Sequence, residues 1–409
     1  MLARRGMEAT RQVRSADLLI LNTCTVTARA DEDVRRALRR MHRENPAAKI
    51  LVTGCYAQRA PQELAALPGV AWVVGNSHQS RIPAIVSAEE AAAGARIHVR
   101  EISGERQLLL GPVEDAVGDR TRPNLKIQDG CNHRCSFCII PSVRGPSRSA
   151  PASEVIRQVR KLSERYREVV LSGVNLGRWG REPGIRMRLA DLLRRLLAET
   201  PVERLRLSSV EPMDLSDDLL ELMAASPRIA KHVHAPLQTG SDSVLRRMRR
   251  PYRARHYAER IRKVRHLMPE AAIGADVMVG FPGETDQEFA ENRRFIDSLP
   301  LTYLHVFTFS ARPGTPAAEY PDQVPAEVRK ERNRMLRELA AAKNLAFRRS
   351  FVGRALSAVT LSGGRRALTS NFIPVELAAE REPNRLIDVA IGGLTAKGVS
   401  ECAPPSRAG

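Results

Sequence analysis

The sequence has few cysteines and few aromatic residues, and both shortages limit what the protein can be. Six cysteines in 409 residues are too few for a disulfide framework. Aromatic residues make up only 4% of the chain, which disfavours nucleic-acid recognition by many stacking platforms. If a nucleic acid is the partner, we expect arginine contacts to phosphate, and an affinity that depends on salt.

Long apolar runs are also absent. No uninterrupted stretch approaches the roughly 18 residues that a membrane-spanning helix needs, and even the run from Ile273 to Phe281 contains Asp276. The opening residues, MLARRGMEATRQVR, lack the apolar segment of a secretory signal. We therefore expect a cytoplasmic protein that makes no membrane contact.

Acidic residues are outnumbered by basic ones. Lys and Arg total 65 against 46 Asp and Glu, which gives a net charge of +19 and a pI near 10.5. Such a surface attracts polyanions, so a nucleic acid is the first expected partner. The composition, 43% hydrophobic and 27% charged, is that of an ordinary globular protein. At about 100 to 200 residues per domain, the length predicts two to four domains.

Strand and helix patterns alternate over residues 1–95, which predicts a parallel α/β domain. Its strands are expected at LLILN, KILVTGC and AWVVGN. The chain opens on LARRG, which is typical of the last turn of a helix closed by Gly6. Because a domain of this type ordinarily starts with a strand, we predict that this one is incomplete and that its first strand is missing.

A longer alternation follows a polar linker at residues 96–120. Six strands are predicted between residues 121 and 345, at NLKIQ, EVVLSGV, RLRLSSV, HVHAPL, IGADVMVGF and YLHVFTFS. Helices are expected between them, including one over residues 241–266. The pattern predicts a partial (β/α)6 barrel with its chemistry at the carboxyl ends of the strands. Residues 346–402 consist of short β-prone runs punctuated by glycine, which is typical of a small β-barrel.

Three of the six cysteines lie in one short loop after the strand NLKIQ. Cys131, Cys135 and Cys138 have the spacing C-x3-C-x2-C. Three soft thiolates at this spacing suit a 4Fe-4S cluster with one open iron. The alternative is a structural zinc site, for which His133 or a distant cysteine would complete the four ligands.

The run CNHRCSFCIIPSVRGPSRS resembles the signature of radical S-adenosylmethionine (SAM) enzymes, and in particular of the methylthiotransferases. The resemblance extends through LSGVNLGRWG, RLSSVEP, HAPLQTGSDSVLRRMRRPY, DVMVGFPGET and FTFSARPGTPA, and upstream to NTCTVT and TGCYAQ. The C-terminal segment resembles a TRAM domain. RRMRRPY and FSARPGTPAA resemble the branch that acts on N6-threonylcarbamoyladenosine beside the tRNA anticodon, whereas CNHRC also resembles the branch that modifies a ribosomal protein.

The resemblance implies that the three loop cysteines hold a cluster whose open iron binds SAM, and that Phe137 lies against the adenine. Phe137 could instead be a core aromatic residue. Further SAM contacts are expected from residues at strand ends, which could alternatively cap helices. They are Ser172, Gly173, Ser209, Glu211, Gln238 and Gly280.

Cys24 and Cys55 end the first two strands, so both thiols are expected at the same edge of the parallel sheet. They could be ordinary buried thiols. The resemblance implies instead that they ligate an auxiliary 4Fe-4S cluster, for which the family uses three cysteines. The third cysteine lies on the loop after the first strand in the family and is absent from this sequence.

Residues 246–265 contain ten Lys or Arg and one acid, Glu259, with Tyr252 and Tyr257 interleaved. The run is either a solvated helix face or an RNA contact. We predict RNA contacts by Arg246, Arg247, Arg249 and Arg250.

Together with these features, the resemblance implies a monomeric tRNA methylthiotransferase that uses SAM and two 4Fe-4S clusters. The expected reaction inserts sulfur and a methyl group at carbon 2 of N6-threonylcarbamoyladenosine. The alternatives are the same chemistry on isopentenyladenosine or on a ribosomal-protein aspartate. A further alternative is an RNA-binding protein without activity, because of the missing cysteine.

Overall fold

The computed structural model describes residues 2, 6–10, 12–88, 94–106, 108 and 121–402. Residues 107 and 109–120 of the predicted linker, and residues 3–5 of the opening LARRG, lie outside the described residues. The chain forms two compact units. The first consists of residues 1–111, 130–147 and 310–319, and the second of 112–129, 148–309 and 320–409.

The first unit contains a parallel four-stranded sheet in the order β1-β2-β3-β4. Its elements are β1 (Leu18–Thr23), α1 (Ala28–Glu44), β2 (Lys49–Gly54), α2 (Cys55–Arg59), α3 (Pro61–Ala65), β3 (Val70–Gly75), α4 (Ile82–Ala88) and β4 (Arg96–His98). This confirms the predicted parallel sheet. The absence of a preceding strand stays a prediction.

The start of α1 follows from its sequence. The Thr27 hydroxyl accepts a hydrogen bond from the Ala30 N–H, and Asp31 lies in the first turn, where a negative charge is favoured. Leu38 is fully buried and packs with β2 residues such as Ile50 and Val52. The sheet is therefore held by apolar packing against its helices.

The second unit contains six parallel strands in chain order, and this confirms the predicted barrel class. The six are β5 (Asn124–Asp129), β7 (Glu168–Gly173), β8 (Arg204–Leu207), β9 (His232–His234), β10 (Ala272–Val279) and β11 (Tyr303–Thr308), and a short strand, β6 (Arg148–Ser149), follows β5 in the chain. The short β6 is antiparallel to β5. Backbone hydrogen bonds from Val210 to His234 and from Ala230 to Leu205 join β8 to β9.

Helices alternate with these strands. They are α5 (Ile140–Arg144), α6 (Ala152–Ser163), α7 (Leu189–Glu199), α8 (Asp217–Ala225), α9 (Asp242–Arg247), α10 (Ala254–Leu267), α11 (Asp286–Asp297) and α12 (Ala326–Arg349). The prediction of one helix over residues 241–266 was wrong. Arg249 has a left-handed φ of 55° and Pro251 follows it, so the chain turns between α9 and α10.

The two faces of β10 differ in polarity. Ile273, Val277 and Val279 are fully buried, whereas Asp276 and Met278 are half-buried on the opposite face. Asp276 is paired in register with His305 of β11. Paired residues of parallel strands point to the same side, so this polar face continues across β9, β10 and β11.

The C-terminal segment is a closed five-stranded barrel in the order β12-β13-β14-β16-β15. Its strands are β12 (Ala355–Thr360), β13 (Arg366–Thr369), β14 (Pro374–Glu376), β15 (Leu386–Leu394) and β16 (Val399–Glu401). Ala358, Val389 and Ile391 are fully buried in its core. The predicted small β-barrel is therefore confirmed. Among the described residues, no helix is both long and apolar enough to span a bilayer.

Candidate active site

The loop with three cysteines follows β5 and folds back on itself. Gly130 has a left-handed φ of 72°, and a Cβ there would lie 1.9 Å from the Pro146 carbonyl oxygen. The Cys131 N–H donates to the Gly145 carbonyl over 3.0 Å. Glycine is thus required at position 130, because both its backbone angle and this close approach exclude a side chain.

The three thiols differ in exposure. Cys135 is 8% exposed, and Cys131 and Cys138 are half-buried. The Cys138 N–H donates to the Cys135 carbonyl over 3.1 Å, and the His133 N–H donates to Cys131 Sγ over 3.4 Å. Soft sulfur donors on one loop, with an N–H directed at a sulfur, fit an iron–sulfur cluster.

The zinc alternative requires a more compact ligand set. Ligand sulfurs of tetrahedral zinc lie about 4 Å apart, since Zn–S bonds are about 2.3 Å long. Among the described residues, one group of three potential ligands lies within 4.8 Å, and it is His234, Asp276 and His305. None of the three loop cysteines belongs to this group.

Cys24 and Cys55 lie at the same edge of the N-terminal sheet. Thr23 and Gly54, the last residues of β1 and β2, are paired in register, and each cysteine follows one of them. Gly54 has a φ of 99°, and a Cβ there would lie 2.4 Å from the Thr23 carbonyl oxygen. Cys24 is exposed and Cys55 is buried.

The Cys55 sulfur is linked to α5, the short helix that follows the loop of the other three cysteines. Arg144 Nε donates to Cys55 Sγ over 3.1 Å, and Asn76 Nδ2 lies 3.6 Å from the same sulfur. Cys55 also packs against Ile139 and Val143. Sequence reasoning missed this arrangement, because 89 residues separate Cys55 from Arg144.

A buried network holds the segment beside Cys24. Thr25 Oγ1 donates to Asp31 Oδ1 over 2.6 Å, and Arg59 Nη2 lies 3.0 Å from Asp31 Oδ2. Arg312 forms an ion pair with Asp31 and donates to Thr25 Oγ1 over 2.8 Å. Arg312 lies within the quoted run FTFSARPGTPA, but sequence reasoning gave it no role.

The remaining expected SAM contacts lie at the carboxyl ends of barrel strands in the second unit. They follow or end β7, β8, β9 and β10, and they are Ser172, Gly173, Ser209, Glu211, Gln238 and Gly280. Phe137 belongs to the first unit, where it is half-buried. Their role as SAM contacts stays a prediction.

Two of these residues have left-handed backbones. Gln238 has a φ of 68°, and its position is fixed by a bridge to Val277. Gly280 has a φ of 70°, and a Cβ there would lie 2.2 Å from Arg329 Cγ. The space that glycine leaves at position 280 is therefore occupied by an arginine of α12.

The four arginines predicted to contact RNA differ in their surroundings. Arg250 is 7% exposed, forms an ion pair with Glu211 and lies near the Tyr252 ring. Arg247 is half-buried and bonded to Glu288. For Arg250 the prediction was wrong, because burial and the ion pair withdraw its guanidinium from solvent. Arg246 and Arg249 are exposed.

The interleaved aromatic residues are part of the core. Tyr252 is buried and its hydroxyl donates to the Pro236 carbonyl, and Tyr257 donates to the Ala235 carbonyl over 2.9 Å. Burial also raises the pKa of Tyr257 well above its ordinary value. Neither ring is available to stack on a base.

The carboxyl group of Glu211 lies in a buried environment beside the positive charge of Arg250. Burial raises the pKa of its carboxyl, and the nearby charge of Arg250 only partly offsets this. The ion pair anchors the segment after β8 to the segment after α9. Glu211 therefore has a packing partner in addition to any contact with SAM.

A hydrogen-bonded cluster lies on the polar face of β9, β10 and β11. The Tyr303 hydroxyl lies 2.7 Å from His232 Nε2 and 3.0 Å from His234 Nδ1. Burial raises the pKa of Tyr303 and lowers that of His232 well below its ordinary value. Burial alone would raise the pKa of Asp276, but its contacts with His234 and His305 lower it.

Comparisons with known proteins assign the chain to a protein family. Residues 125–296 match the radical SAM superfamily, and residues 1–75 match a family described as uncharacterized protein family UPF0004. The threonylcarbamoyladenosine tRNA methylthiotransferase MtaB of Aquifex aeolicus (strain VF5) is 36% identical over 390 residues, which are 95% of this chain and 94% of that protein. The chain belongs to the radical SAM methylthiotransferase family.

Other members support the same assignment. MtaB of Bacillus subtilis (strain 168) is 41% identical over 78% of this chain and 71% of that protein. A tRNA-2-methylthio-N(6)-dimethylallyladenosine synthase of Thermobifida fusca (strain YX) is 33% identical over 97% of this chain and 80% of that protein. Radical SAM methylthiotransferases are sulfur-inserting transferases that use SAM and a 4Fe-4S cluster, which confirms the predicted enzyme class.

The fold also resembles that of a more distant enzyme. The radical SAM methyltransferase TsrM from Kitasatospora setae has a TM-score of 0.56 and 16% identity, over 74% of this chain and 66% of that protein. At this identity the likeness extends to the fold alone.

Proposed function

We propose that this methylthiotransferase acts on tRNA and converts N6-threonylcarbamoyladenosine to its 2-methylthio derivative. The observation that carries this proposal is the match to the Aquifex MtaB, which extends over 94% of that protein at 36% identity. The net charge of +19 supports a polyanionic substrate. A tRNA substrate would also agree with a cytoplasmic location.

Cys131, Cys135 and Cys138 would hold the 4Fe-4S cluster that binds SAM. With both bound, the site would supply radical chemistry and a methyl group. The chain's own contribution is to fix the cysteine loop, through Gly130 and the bond from Cys131 N–H to the Gly145 carbonyl. Phe137, next to Cys138, would contact the adenine of SAM.

Cys24 and Cys55 would be ligands of an auxiliary cluster that provides the sulfur. Support comes from their positions at paired strand ends and from the Arg144 contact with the Cys55 sulfur. The network of Thr25, Asp31 and Arg312 would keep the Cys24 segment in place.

A second candidate substrate is isopentenyladenosine in tRNA. The Thermobifida synthase, whose name gives it the N(6)-dimethylallyladenosine product, is 33% identical over 97% of this chain. The greater identity to MtaB of Bacillus, 41%, favours the threonylcarbamoyl substrate.

The test is mass spectrometry of tRNA nucleosides from a host that lacks its own methylthiotransferases and expresses this chain. We expect 2-methylthio-N6-threonylcarbamoyladenosine from the wild type and none from Cys135→Ala. Cys402→Ala is the matched control, because Cys402 is an exposed thiol that follows β16. Methylthiolation of isopentenyladenosine alone would favour the second candidate. If neither product were detected, both candidate functions would be refuted.

A further inference from the structure

The polar face of β9, β10 and β11 carries a group of side chains that the cysteine chemistry does not use. His234, Asp276 and His305 each offer one ligand atom, and these three atoms lie within 4.8 Å of one another. All three belong to the second unit. We propose that they form a binding site for one divalent first-row transition metal ion.

The distances suit a shared ion. His234 Nε2 lies 3.1 Å from Asp276 Oδ1, and His305 Nδ1 lies 3.2 Å from the same oxygen. Two ligands that are each about 2.1 Å from a metal are about 3.0 Å apart at a right angle and about 3.4 Å apart at the tetrahedral angle. Both measured separations fall within this range.

The Nε2 atom of His234 makes no hydrogen bond. Nε2 is buried and has no hydrogen-bond partner of acceptable geometry, although the Asp276 oxygen is near. A buried polar atom without a partner costs about 1 to 3 kcal/mol. Coordination of an ion between the nitrogen and the carboxylate satisfies both atoms.

Tyr303 fixes the orientation of His234 from the other side of the ring. Its hydroxyl lies 3.0 Å from His234 Nδ1 and 2.7 Å from His232 Nε2. When the Tyr303 hydroxyl donates to His232 Nε2 and accepts from His234 Nδ1–H, a lone pair is left on His234 Nε2. Histidine ligands of metals ordinarily have such a partner on the second nitrogen.

The backbone provides room for this arrangement. Gly274 is in register with both His234 and Tyr303, and a Cβ at Gly274 would lie 2.0 Å from Tyr303 Cζ. The glycine therefore allows the tyrosine to lie across β10 and reach both histidines. No local turn requires glycine here, because Gly274 is within a strand.

Two imidazoles and one carboxylate define the class of ion. This donor set suits Fe²⁺, Mn²⁺, Co²⁺ or Zn²⁺, whereas Ca²⁺ and Mg²⁺ prefer oxygen ligands. The side chain of His305 is 54% exposed, so one side of the site is open to solvent. The remaining coordination positions are available to water or to an oxygen atom of a ligand.

The experiment measures Zn²⁺ bound by the full chain after anaerobic dialysis against micromolar Zn²⁺. Thiols also bind zinc, so the informative quantity is the difference between variants that keep all six cysteines. We expect the wild type to retain one zinc ion more than His305→Ala and one more than Asp276→Asn. His266→Ala, which changes an exposed histidine of α10, is the matched control and is expected to retain the wild-type amount.

Tyr303→Phe gives a second readout, because it removes the hydroxyl that orients His234 and leaves all three ligands in place. We expect about a tenfold to hundredfold weaker zinc affinity. Circular dichroism of each variant verifies folding, and His305→Ala is the least disruptive change, since that side chain is exposed. Equal zinc content in the wild type, His305→Ala and Asp276→Asn would overturn the proposal.

Discussion

Arg144 Nε donates a hydrogen bond to Cys55 Sγ over 3.1 Å, and this contact links the two cysteine-containing parts of the first unit. Arg144 is the last residue of α5, a short helix that follows the three-cysteine loop. A guanidinium beside a sulfur stabilises negative charge on a thiolate or on a sulfur ligand. Arg144 is therefore suited to position Cys55 as a ligand.

Arg144→Ala should impair the auxiliary site and spare the SAM site. We expect reconstituted protein to lose up to half of its iron and most of its methylthio product, while SAM cleavage persists, because Cys131, Cys135 and Cys138 are unchanged. Iron analysis and a SAM cleavage assay measure the two effects. Arg134→Ala is the control, since Arg134 is exposed in the same loop. Equal iron in both variants would show that Arg144 has no role at Cys55.

Arg312→Ala should destabilise the first unit. The substitution removes a buried partner of Asp31 and leaves Arg59 as the remaining cation beside it. We expect a loss of about 1 to 3 kcal/mol in the free energy of unfolding. Arg36→Ala breaks an exposed pair with Asp33, and its effect should stay within about 0.5 kcal/mol. Denaturant titration compares the two variants, and equal losses would contradict the expected role of burial.

Glu288 should make stability depend on pH in the acidic range. Burial would raise its pKa, but bonds from Arg247, Ser243 and the Thr285 N–H lower it to about 2, from an ordinary value of 4.5. Because the folded-state pKa is the lower one, the stabilisation is complete above pH 4.5 and is lost as the pH falls towards 2. Glu288→Gln should therefore reduce the melting temperature at pH 6 and have little effect near pH 2.

Glu221→Gln, which changes an exposed glutamate of α8, is the control for this pH series. Its melting temperature should follow that of the wild type at every pH. If Glu288→Gln were as destabilising at pH 2 as at pH 6, loss of packing rather than loss of charge would explain the variant.

Arg246 and Arg249 should carry the RNA contact of the basic run. Each phosphate contact contributes about 0.7 to 0.9 to the log–log dependence of affinity on salt. Replacing both arginines by alanine should therefore lower the slope by about 1.4 to 1.8, as measured by tRNA binding between 50 and 200 mM salt. Arg157→Ala on α6 is the control, because Arg157 is exposed and paired with Glu154. An unchanged slope in the double variant would make this run a solvated surface.

Local sequence patterns were sufficient to predict most of the parallel strands of both units. In β10, Asp276 is the one polar letter in the apolar run AIGADVMV, and it lies half-buried on the face opposite to buried Val277. The turn at Gly130 is likewise signalled by Asp129 and Gly130. These features depend on residues that are close together in the chain, so the local sequence is enough to predict them.

Features that depend on distant residues were missed. Arg312 is 281 residues from Asp31, and nothing in either segment indicates the other. The break between α9 and α10 was missed for a different reason. Pro251 indicates the end of a helix, but the basic residues on both sides of it were interpreted as one continuous helix. Tyr252 and Tyr257 are interleaved with the arginines of the basic run in the sequence, yet both are buried.

The pairing of Asp31 with Arg312 also affects the order in which the parts of the chain fold during synthesis. The first unit draws on three separate segments, and the last of them is residues 310–319. At about 5 to 20 residues per second, a ribosome takes roughly 15 to 55 s to add the 281 residues between the partners. During that interval the nascent N-terminal sheet has Arg59 but not Arg312 as a partner for Asp31. The final packing around Asp31 therefore forms only after most of the chain has been synthesised.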